Sequence, residues 1–108
     1  MRRYETLQDC LEDFSLRCST QIGRIRACSD FYKQVVPRQK SLKRSNLNAG
    51  PYNRFVTYAI QTRRYGQLRE LVTTVIDEME KNELTQRYIP KLQGHLEQIL
   101  RERNNRHQ

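Results

Sequence analysis

Tryptophan is absent, histidine occurs twice, proline three times and glycine four times in the 108 residues. The four glycines are scattered, and no segment shows the alternation of a strand. No apolar run approaches the roughly 18 residues of a membrane-crossing helix. The opening Met1-Arg2-Arg3-Tyr4-Glu5 lacks the hydrophobic centre of a secretory signal. Glu5, Asp9, Glu12 and Asp13 speak against a mitochondrial presequence. The three cysteines, Cys10, Cys18 and Cys28, are odd in number, which points to a reducing intracellular compartment, the cytoplasm or the nucleus. On one helix they would stand about 12 and 15 Å apart, too far for an internal disulfide, and they read as small core residues.

Catalytic groups are equally sparse. His107 sits in the tail, so a Cys–His dyad would need one of the three cysteines beside His95. No CxxC, HExxH or glycine-rich phosphate loop occurs, and no ligand spacing suits a structural metal. The acids Glu70, Asp77, Glu78, Glu80 and Glu83 read as a solvated face. The expectation is a non-enzymatic protein with no catalytic residues, no metal and no cofactor.

What the chain does have is positive charge and helical periodicity. Twenty Lys and Arg face twelve acids, a formal net charge of +8. The excess is concentrated. Residues 17–54 carry nine bases against one acid, Asp30, while residues 1–16 are net acidic. Charge of this kind bears on partners rather than on fold.

Only 36% of residues are hydrophobic, yet they recur with helical spacing. Tyr4, Leu11, Cys18, Ile25 and Tyr32 form one heptad row, and Leu7, Phe14, Gln21, Cys28 and Val35 the other. Only Gln21 is polar, so the pattern predicts one long amphipathic helix over residues 5–36, ended by Pro37. A straight helix of that length would run about 48 Å, against a radius of gyration of about 13 Å for a compact domain this size. It must bend at Gly23 or be covered by another chain. Residues 37–50 read as a basic loop. Further helices are predicted over 51–64, 67–81 and 84–103, with a break at Gly66, an interruption at Pro90 and a frayed tail over 104–108. The fold class is all-α: a small single-domain bundle with a long first helix, a basic loop and three to four further helices.

Two likenesses follow from this layout. Tyr52-Asn53 and Asp77-Glu78-Met79, in a helical hairpin over residues 52–84, resemble a pentatricopeptide-type unit. The spacing is off by about one helical turn and no second copy follows, so the likeness carries no function. A long basic helix in a chain of this length is also similar to small viral double-stranded-RNA-binding suppressors, in layout alone.

The basic segment gives the leading expectation, a nucleic-acid-binding protein with RNA favoured over DNA. Arg17, Arg24, Arg26, Lys33, Arg38, Lys40, Lys43, Arg44, Arg54, Arg63 and Arg64 would contact phosphates, with Tyr52, Phe55, Tyr58 and Tyr65 interleaved. The first-helix seam, Leu7, Leu11, Phe14, Cys18, Ile25, Cys28, Tyr32 and Val35, would pair in a homodimer. The alternative is a helical adaptor or assembly factor, with that seam on a partner helix and the basic segment on an acidic protein. No membrane span is expected.

Overall fold

The structure is a computed structural model that describes residues 6–36 and 50–106, with side chains to residue 102. Among these residues it is an all-α bundle of six helices without a strand: α1 (Leu7–Arg17), α2 (Gln21–Val35), α3 (Pro51–Gln61), α4 (Tyr65–Met79), α5 (Glu83–Gln86) and α6 (Ile89–Arg106).

The single long first helix is corrected to two. Thr20 ends the run by taking an extended backbone and accepting a hydrogen bond from the Gly23 N–H at 3.0 Å, which starts α2 afresh. Thr6 does the same for α1 in a reciprocal box with Asp9. The turn lies at residues 18–20, before Gly23. Gly23 matters for a different reason. A Cβ there would stand 2.1 Å from the Arg17 carbonyl oxygen. Only glycine lets the first turn of α2 approach the end of α1 so closely.

The other boundaries shift for equally local reasons. α3 stops at Gln61 rather than at residue 64, because Arg63 adopts φ 60°. The Arg64 N–H then bonds the Ala59 carbonyl (2.8 Å) and the Arg63 N–H that of Ile60 (3.2 Å), a Schellman closure. Gly66 therefore marks no break and lies inside α4. Pro90 falls in the first turn of α6, where a missing N–H costs nothing, and the interruption precedes it at residues 87–88. α6 continues to Arg106, so residues 104–106 are helical rather than frayed; residues 107–108 and residues 37–49 of the predicted loop lie outside the described residues.

α4 is the central helix and buries Leu68, Leu71, Val72, Val75 and Met79 against α1, α2, α3 and α6. The rings of Phe14 and Phe31 pack on Tyr52 at centroid distances of 6.3 and 5.4 Å. Cys10, Cys28, Phe55, Val56 and Leu92 are also part of the core. All three thiols are free.

Candidate nucleic-acid interface

The eleven predicted phosphate-contacting residues do not form one set. Arg38, Lys40, Lys43 and Arg44 lie outside the described residues. Arg17 and Arg24 are engaged inside the bundle. Arg17 pairs with Asp30 and donates to the Tyr52 hydroxyl at 3.4 Å, while that hydroxyl donates to Asp13 Oδ2 at 2.8 Å. Burial lowers the Arg17 pKa, but the bonds to Asp30 and Tyr52 outweigh it and hold the guanidinium charged. Burial and the Asp13 carboxylate together push the Tyr52 phenol well above its ordinary range.

Arg24 braces the corner. Its Nη2 donates to the Cys18 carbonyl at 3.2 Å and its Nε to Glu78 Oε1 on α4 at 2.9 Å, beside Lys81 at 3.1 Å. Burial raises the Glu78 carboxyl, but Lys81 and Arg24 outweigh that and hold it below the usual range. A groove of about 380 Å3 opens here over Leu11, Phe14 and Cys18. The charges at its rim are already paired, so it offers no strong anion site.

Five predicted residues remain at the surface: Arg26 and Lys33 on α2, Arg54 on α3, and Arg63 and Arg64 at the α3–α4 turn. Arg26 and Lys33 are seven residues apart and share a face. α2 and α3 pack side by side. Over residues 21–69 the only acid before Glu70 is Asp30, and Arg17 already neutralises it. Among the described residues, the ion pairs are those of Arg17, Arg24 and Lys81, and none engages the exposed bases of α2 and α3.

The interleaved aromatics separate in the same way. Tyr52 and Phe55 are core residues and Tyr65 is half-buried. Tyr58 is 43% exposed, with the Arg64 guanidinium 5.8 Å from its ring centroid.

The predicted seam is largely spent on the chain's own core. Phe14, Cys28 and Val35 are buried, Leu7, Leu11, Cys18 and Tyr32 pack against them, and Ile25 is half-buried. Tyr32 stacks on Tyr88 at 4.5 Å. The seam pattern missed Leu16 and Ile22, 69% and 67% exposed on either side of the α1–α2 turn; their off-seam positions were the only signal.

Among the described residues no helix is long and apolar enough to cross a membrane. No protein-family description, curated protein or solved structure matches the chain.

Proposed function

We propose that this chain is a non-enzymatic nucleic-acid-binding protein that holds phosphates with the exposed bases of α2 and α3. One observation carries the reading: Arg26, Lys33, Arg54 and Arg63 are exposed and lie in a stretch whose single acid is already paired. Such a surface attracts polyanions through counterion release. The bases of residues 38–44 join α2 to α3 in sequence and add to the same charge. RNA is favoured over DNA, and three free thiols suit the cytoplasm or the nucleus. A homodimer would need a surface other than the seam.

The test is fluorescence anisotropy with labelled RNA and DNA across a salt series. Affinity should fall log-linearly with salt, by about −0.9 per phosphate contact on duplex DNA and about −0.7 on single strands. The triple reversal Arg26→Glu, Lys33→Glu, Arg54→Glu should weaken binding about tenfold or more, whatever the sequence. The control Arg87→Glu, Lys91→Glu, Arg101→Glu makes the same change in net charge at the α5–α6 turn and on α6 and should matter much less. Equal losses from both triples would show a general charge effect and no located site.

A second reading rests on Leu16 and Ile22. Two large apolar side chains exposed beside one turn suit a partner protein. If nucleic acid is not bound and Leu16→Ser with Ile22→Ser abolishes a protein contact, the adaptor reading takes its place.

A further inference from the structure

The nature of the nucleic acid follows from α3. Arg54, Tyr58 and Gln61 stand at i, i+4 and i+7, one exposed stripe of the helix. Tyr58 is the one exposed aromatic ring among the described residues. The other described rings are less accessible: Phe14 and Phe31 pack on Tyr52, Tyr32 lies on Tyr88, Phe55 is in the core and Tyr65 is half-buried. Only Arg64 lies over Tyr58. A ring 43% exposed beside a cation offers part of its surface to a ligand.

A duplex does not offer base faces to such a ring, because its bases are stacked on each other. Unpaired bases do, and every base has a π-face, so stacking on tyrosine tolerates any sequence. Arginine beside the ring adds a cation and a planar stacking surface. The layout likeness to double-stranded-RNA-binding suppressors rested on one long basic helix, and that helix is divided at residues 18–20.

We infer that the ligand is a single-stranded nucleic acid, with Tyr58 the stacking platform for an unpaired base and Arg54, Arg63 and Arg64 the flanking phosphate contacts. This rests on the nucleic-acid reading above. Unpaired bases occur in RNA and in DNA, and the experiment separates the two.

The full chain is titrated into fluorescein-labelled single strands of about 12 nucleotides, a length within the usual single-strand site range, in RNA and DNA form, and into duplexes of the same sequence. Single strands should bind more tightly than duplexes. Tyr58→Ala should weaken single-strand binding about tenfold on RNA and DNA alike, within the range for loss of one stacked base. Tyr58→Phe should keep the affinity, since the ring remains. The salt slope of Tyr58→Ala should match the wild type, because no phosphate contact is lost. The side chain is exposed, so thermal unfolding checks that the variant is folded.

Duplexes bound as tightly as single strands, with Tyr58→Ala unchanged, would overturn the inference and leave the nucleic-acid reading standing. A loss on RNA alone that Tyr58→Phe reproduces would assign the hydroxyl rather than the ring, and would also overturn it. No binding to any strand at low salt would remove both.

Discussion

Arg63 holds a backbone conformation in which a side chain is strained. Its φ of 60° serves the Schellman closure of α3, a position where glycine is usual. An L-residue there costs roughly 1–2 kcal/mol. Arg63→Gly should therefore raise stability by about 1 kcal/mol in urea denaturation, because the relieved strain outweighs the added freedom of the unfolded chain. It should also weaken nucleic-acid binding, since it removes a base from the proposed surface. A variant no more stable than the parent would show that Arg63 bears no strain. At this scale little was legible in the sequence. Nothing local distinguishes Arg63 from Arg64, and the partner of Arg24 is Glu78 on α4, 54 residues away. Arg17 lies only 13 residues from Asp30, but the turn between α1 and α2 is what lets them meet. Two of the eleven predicted contacts became internal braces through acids that only the fold brings close.

Helices show the reverse balance. The seam was legible because α1 and α2 both turn it onto one core, so its phase survives the corner. That continuity is also what concealed the corner: three residues, Cys18, Ser19 and Thr20, break the helix without breaking the pattern. The apolar stripe of α4, Leu68, Leu71, Val72, Val75 and Met79, is buried whole at the centre of the bundle. Gly23 tests the corner by sign. At an exposed mid-helix site, glycine to alanine gains up to about 1 kcal/mol. Here the new methyl would meet a backbone carbonyl at 2.1 Å, and a carbonyl cannot swing aside. Gly23→Ala should cost about 1–3 kcal/mol, as overpacking does, read from the urea midpoint. A gain in stability would mean that α1 and α2 are one continuous helix.

The described bundle measures 45 × 28 × 27 Å with a radius of gyration of 13.7 Å, so the corner resolves the overhang a continuous first helix would have caused. Its enclosed thiols set a pH limit. Burial, aided by nearby acids, pushes Cys10 and Cys28 up to about 12 and Cys18 up to about 11, from an ordinary 9.0. Burial raises the Tyr52 phenol in the same direction. The folded chain therefore keeps protons that the unfolded chain releases above about pH 9. Stability from these groups is full below that pH and declines as pH rises from there toward 12. Urea midpoints should hold steady up to about pH 8 and fall by about pH 10.5. Equal midpoints at the two pH values would show that the thiols ionise as freely in the folded chain.

The brace at Arg24 also orders assembly in time. One guanidinium makes a contact six residues back, to the Cys18 carbonyl, and another 54 residues ahead, to Glu78. Each doubling of loop length adds about 0.6 kcal/mol to closure, so the longer contact is dearer by roughly 2 kcal/mol. On loop entropy the corner should therefore form first, before α4 docks on it. Thr20→Ala should slow refolding, whereas Glu78→Gln should mainly speed unfolding, in stopped-flow traces.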